Sequence, residues 1–170
     1  MEFKIETRKL PAKKVIYMPV TLSHEEMRDT GRYFMKLGIH AFTYGIKATG
    51  VSFIIFTGET KDSVDLEICF EVEEFPEEGN KLEVDGLDDY VPKMAGEIQQ
   101  KELEQVEKKY AVGYHKGSRK EMPKVYTEMG AWFKENGLER SGEPLVEVYL
   151  NNSHQVPEKE LLTELMWPIK

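Results

Sequence analysis

The chain has little of what several function classes require. It contains one cysteine, Cys69, in 170 residues, so no intramolecular disulfide can form. A single thiol in the apolar stretch Leu66 to Phe70 reads as buried and inert in a reducing compartment. Its acidic neighbours Glu67 and Glu71 would raise a thiol pKa rather than activate it. The four histidines, His24, His40, His115 and His154, are scattered without ligand spacing, so no metal is expected. No cofactor is expected either, because Gly113 and Gly117 lack a phosphate-loop pattern. Long apolar runs are missing: Phe53-Ile-Ile-Phe56 falls far short of the roughly 20 residues a bilayer span needs. The segment Met1-Glu-Phe-Lys-Ile5 goes straight into strand-like alternation with no apolar signal segment, which predicts a cytoplasmic protein without a membrane partner. Basic excess is absent as well. With 23 Lys and Arg against 31 Asp and Glu the formal charge is −8, and phosphate binding needs clustered cations.

What is present suits one globular domain over residues 1–170: 40% hydrophobic and 32% charged residues supply a core and a solvated surface. The chain carries a faint duplication, with half-repeats at about 1–75 and 97–170 and an acidic, Gly- and Pro-rich connecting loop at 76–96. Tyr33-Phe34-Met-Lys-Leu-Gly38 resembles Trp132-Phe133-Lys-Glu-Asn-Gly137, and both glycines read as helix ends. Apolar stripes at helical spacing precede them: Met27, Thr30, Phe34 and Leu37, then Met122, Val125, Met129, Trp132 and Phe133. Ser23 and Glu26 form a capping box. An extended segment precedes each helix, at 13–17 and at 108–114, and two strands follow each, at 51–57 and 64–72 and at 145–151 and 162–169. Residues 97–109 favour helix on propensity, yet the repeat assigns much of this stretch to a strand. The predicted fold is therefore α+β, with duplicated strand-helix-strand-strand units forming one antiparallel sheet, helices on one face and a groove on the other.

Two carboxylates stand out because they alternate with apolar neighbours on the C-terminal strands. Glu147 and Tyr149 share one strand face against Val146, Val148 and Leu150, and Glu164 and Met166 share a face against Leu165 and Trp167. With a suitable register, Glu147, Tyr149, Glu164 and Met166 would form one surface suited to an apolar cation. A wet sheet face shows the same alternation without any ligand. An acidic residue recurs at equivalent places in the halves, Glu67 and Glu164 (164 − 67 = 97), although Glu67 reads as solvated. Trp167 could join either face, because Pro168 can distort the strand end. Tyr44 and Phe56 are the candidates for a wall from the first half.

The segment Tyr110-Ala-Val-Gly-Tyr-His115-Lys-Gly117-Ser118, the helix ending at Gly137, Gly142-Glu-Pro-Leu-Val-Glu147-Val-Tyr149-Leu-Asn and Thr163-Glu164-Leu-Met-Trp-Pro168-Ile together resemble the GyrI-like small-molecule-binding superfamily. That superfamily includes the effector-binding domains of the Rob and BmrR transcription regulators. The resemblance implies a groove for bulky lipophilic or aromatic, often cationic, compounds, as in drug or toxin binding, met by acidic residues and tyrosines on second-half strands. By position those are Glu147, Tyr149, Glu164 and Met166. Residue 3 already lies in the first strand, so a standalone member is expected, with no direct contact to nucleic acid. Standalone members resemble either binders or hydrolases that open cyclopropane-containing electrophiles. For the hydrolase, Glu164 would be the acid or base, Glu147 the second carboxylate and Tyr149 the hydrogen-bond donor. A third reading is a module that inhibits a protein partner, of the gyrase-inhibitor type.

Overall fold

The computed structural model describes residues 2–75 and 97–170; the connecting loop expected at 76–96 lies outside them. In chain order the elements are β1 (Phe3–Leu10), β2 (Lys13–Ser23), α1 (Gly31–Thr43), β3 (Ala48–Glu59), β4 (Ser63–Val72), β5 (Gln99–Leu103), β6 (Val106–Lys116), α2 (Met122–Glu135), β7 (Leu145–Tyr149) and β8 (Leu162–Pro168). They form two compact units. Ala12–Glu104 is one; the other joins Gln105–Lys170 to the N-terminal segment ending at Pro11. Each is an antiparallel sheet with one helix, so the fold is α+β as expected.

In the Ala12–Glu104 unit the strand order is β5-β2-β4-β3, and in the other unit it is β1-β6-β8-β7. The two units therefore repeat one plan, and the strand assigned to residues 97–109 on the strength of the repeat is present as β5 and the start of β6. The units do not follow the halves of the chain, however. β1 precedes β2 in sequence but pairs with β6, placing Phe3 opposite Gly113 and Arg8 opposite Lys108. β5 precedes β6 but pairs with β2, placing Gln99 opposite Tyr17 and Lys101 opposite Val15. The short links explain why. Tight two-residue hairpins need positive φ, usually from Gly or Asn. Neither Pro11-Ala12 nor Glu104-Gln105 offers such a residue, and no described non-glycine residue has positive φ. The chain runs on instead of turning back.

α1 buries Tyr33, Leu37 and Ala41, and α2 buries Met122, Val125, Met129 and Phe133, both at the spacing that puts side chains on one helical face. The stripe of α1 thus sits one residue away from Phe34, whose ring stacks at 5.9 Å on Phe70 of β4. Gly38 does not end the helix. α1 runs through it to Tyr44, and Gly45 takes the left-handed cap conformation at φ 63°, as Gly137 does after α2 at φ 60°. The capping box is made, with the Glu26 amide 3.1 Å from Ser23 Oγ and the Ser23 amide 2.8 Å from the Glu26 carboxylate. It opens the short 3₁₀ turn Glu26–Asp29 that precedes α1.

In the β1-β6-β8-β7 unit, β8 is buried on both faces from Thr163 to Pro168. One face meets α2, where the Phe133 and Trp167 rings lie 4.8 Å apart. The other face carries Tyr110, Val112 and Met166, packed with Leu10, Val146 and Val148.

Candidate functional site

The register between β7 and β8 decides which candidate residues meet. Directly opposed residues in an antiparallel pair point to the same face. Val146 faces Met166, Glu147 faces Leu165, Val148 faces Glu164 and Tyr149 faces Thr163. The four residues expected on one surface are therefore split. Glu147 and Tyr149 lie on the α2 side with Leu165; Glu164 and Met166 lie on the opposite face with Val146 and Val148. Each strand's internal alternation is as read, but the parity between the strands is the reverse of the one a shared surface requires. Valines from β7 fill the positions beside Glu164 and Met166 and give that face an apolar floor.

On this face Glu164 is nearly covered, its side chain 8% exposed, and it is held by a residue from β1. Arg8 Nη1 lies 2.7 Å from Glu164 Oε1 and Nη2 lies 3.1 Å from Oε2, a bidentate contact. The same guanidinium donates to Tyr114 Oη at 2.8 Å, comes within 3.7 Å of Met166 Sδ, and through Nε donates to Glu6 at 2.7 Å. Lys4 Nζ holds the other oxygen of Glu6 at 2.6 Å and lies 5.4 Å from the centre of the Tyr114 ring. Hydrogen bonds from Lys4 and then Arg8 hold the Glu6 carboxyl below its usual range. Burial, reinforced by Glu164, raises the Tyr114 phenol. The result is a buried apolar cluster of Tyr110, Val112 and Met166 bordered by two carboxylates, two cations and a half-exposed phenol. β6 aligns Tyr114 directly opposite Glu164, with Val112 opposite Met166 and Tyr110 opposite Pro168.

The α2 side holds a different carboxylate. Glu147 is buried and accepts a hydrogen bond from Tyr126 Oη of α2 at 3.0 Å. Burial pushes its pKa up to about 7, against the opposing pull of Tyr126 and the Arg119 charge. Tyr149 is buried beside it, with the Arg119 guanidinium 4.1 Å from its ring centre, and burial and then Glu147 raise its phenol well above the ordinary value. Trp167 belongs to this core, packed between Phe133 and the Arg140 guanidinium, which lies 3.5 Å from its ring centre. Glu164 and Tyr149, the couple expected for hydrolysis, lie on opposite faces. The phenol beside Glu164 is Tyr114.

The Ala12–Glu104 unit repeats the ionic motif. Glu67 is held by Lys101 Nζ at 2.6 and 2.8 Å, and that ammonium lies 4.1 Å from the centre of the Tyr17 ring. Glu67 is thus paired rather than freely solvated, and it borders a cleft of about 310 Å³ with Pro19, Thr21, Thr57 and Asp65. Tyr44 caps α1 and packs on His40 at 4.5 Å. Phe56 lies opposite Leu66, on the other face of β4 from Glu67. Within this unit Phe56 does not share a face with Glu67. Cys69 is fully buried, and burial pushes its thiol up to about 12. No group of residues that could hold a metal occurs among the described residues, and no helix there is long and apolar enough to cross a membrane.

The reading of the sequence missed Arg8, Glu6 and Lys4. The available signal was their alternation along β1, three charged residues on one strand face. It also missed Tyr114 as the partner of Glu164, although Tyr17 and Tyr114 recur at the same spacing as Glu67 and Glu164.

Comparison with known proteins places this geometry. A solved complex of EcmrR with DNA has a TM-score of 0.68 at 15% identity, covering 99% of this chain and 57% of that one, so the present chain spans a little over half of the EcmrR chain. The isolated EcmrR C-terminal domain gives a TM-score of 0.64 at 16% identity, with 100% and 99% of the two chains covered. SAV2435 bound to tetraphenylphosphonium gives 0.62 at 13% identity, covering 100% and 94%. At these identities the likeness concerns the fold. No curated protein sequence matches the chain. The model of the GyrI-like small molecule binding domain matches residues 1–170 in full, and the chain belongs to that family.

Proposed function

We propose that the protein binds a bulky lipophilic or aromatic cation, as in drug or toxin binding, on the face that carries Glu164. The observation that carries this reading is a nearly covered carboxylate set beside a buried apolar cluster of Tyr110, Val112 and Met166, with the half-exposed Tyr114 ring at its edge. A carboxylate there is costly to desolvate; Arg8 offsets that cost in the unliganded protein, and a ligand cation would take over that role while its apolar groups pack against the cluster. The Tyr114 ring adds cation–π attraction. The tetraphenylphosphonium held by SAV2435 is a cation of this class. The register assigns Met166 to the same face as Glu164, while Glu147 and Tyr149 support that face from behind. The buried, unactivated thiol of Cys69 suits the reducing cytoplasm, where we place the protein.

The test is a fluorescence titration with a lipophilic cationic dye. Saturable binding is expected for the wild type, with affinity reduced about tenfold or more in Glu164→Gln, a change that removes one close charge pair. Unchanged affinity in a folded Glu164→Gln protein would remove this residue from the site.

A further inference from the structure

We infer that Arg8 is a gate: the guanidinium occupies the Glu164 carboxylate as a built-in counter-ion, and a cationic ligand gains that carboxylate only by turning Arg8 away onto Glu6. This rests on the ligand reading above and adds its regulation. Four observations carry it. Arg8 takes both oxygens of Glu164, at 2.7 and 3.1 Å, so no oxygen is left with its charge uncompensated for a second cation. The guanidinium already has another berth, because Nε donates to Glu6 at 2.7 Å. Glu6 is the wetter of the two acids, its side chain 27% exposed against 8% for Glu164, so Arg8 can swing outward and remain paired. Finally, β1 is the outermost strand of its unit and pairs there with β6 alone, and the Arg8 side chain is 20% exposed, so it borders solvent.

The second unit shows that pairing the acid with a base is part of the repeated plan. There too the acid of the strand equivalent to β8, Glu67 of β4, is neutralised by a base from the outermost strand, Lys101 of β5, beside the equivalent tyrosine. By register Lys101 corresponds to Lys4, since Lys101 faces Val15 and Lys4 faces Val112. Arg8 is therefore an additional cation in the unit that carries Glu164. The charges of Lys4, Glu6, Arg8 and Glu164 sum to zero before any ligand arrives. A cation of low hydration then competes with a bidentate, hydrogen-bonded guanidinium, which sets a threshold that weak or strongly hydrated cations do not cross.

The experiment titrates tetraphenylphosphonium against the wild type, Arg8→Gln and Arg8→Lys by calorimetry, with a thermal melt of each chain. Arg8→Gln removes the competing charge and is expected to bind about tenfold more tightly, the low end for a close charge pair. Arg8→Lys keeps the charge but loses the bidentate geometry, so its affinity should fall between the other two. It carries the test alone if Arg8→Gln fails to fold. Equal affinity in all folded chains overturns the gate and leaves the ligand reading intact. Absence of saturable binding in every chain overturns both.

Discussion

Glu147 gives the sharpest quantitative prediction, because its environment penalises its own charge. It lies between the sheet and α2 with one hydrogen bond from Tyr126, and its pKa is raised from the usual 4.5 to about 7. The native state therefore holds the proton more tightly than the unfolded chain between these two pH values. Stability must fall as pH rises through that window, the penalty being absent below about 4.5 and complete above about 7. At 1.36 kcal/mol per pKa unit this amounts to roughly 3 kcal/mol, an order-of-magnitude figure. Glu147→Gln keeps an oxygen that can accept from Tyr126 and removes the ionisation. Urea denaturation of both proteins from pH 5 to pH 8 is the assay. The variant should gain on the wild type as pH rises, ending about 2 to 3 kcal/mol more stable at pH 8, with equal m-values. Parallel stability profiles, or a variant less stable than the wild type at pH 8, would refute the burial argument.

Two further outcomes follow from single residues. Cys69, whose thiol is pushed up to about 12, should resist alkylation at pH 8 in the native protein and react at once in urea; rapid modification of folded protein, followed by mass spectrometry, would contradict its burial. Gly137 caps α2 at φ 60°, so Gly137→Ala should cost about 1 kcal/mol in a denaturation measurement, since an alanine pays the left-handed strain a glycine avoids.

Much of the fold was legible in the sequence because side-chain period and repeat spacing are local properties. The alternation along Leu145 to Leu150 and along Leu162 to Trp167 placed each strand's faces correctly, and the recurrence of Glu67 and Glu164 located the acid in each unit. The pairing of faces between β7 and β8 was not legible. Residues 150–161 separate these strands, and so long a connection does not fix register as a tight hairpin does. Glu147 opposite Leu165 rather than Glu164 follows from burial of Val146 and Val148 against Met166, a tertiary choice. The exchange of β1 and β5 was equally hidden, since nothing within Phe3 to Leu10 states which strand it will join. Arg8 went unseen for that reason: its partner lies 156 residues away. The end of α1 was misplaced because Gly38 matches the position of Gly137 in the repeat, yet the helix passes through it to Thr43, and Gly45 takes the left-handed position just beyond.

The most direct test of the central claim is a crystal structure of the protein with a planar lipophilic cation bound. Such a structure is expected to show the cation against the Tyr110, Val112 and Met166 cluster, its charge within about 5 Å of the Glu164 carboxylate, the range over which opposite charges act strongly on each other, and Arg8 turned onto Glu6. A ligand seated elsewhere, with the Arg8–Glu164 contact unchanged, would contradict it.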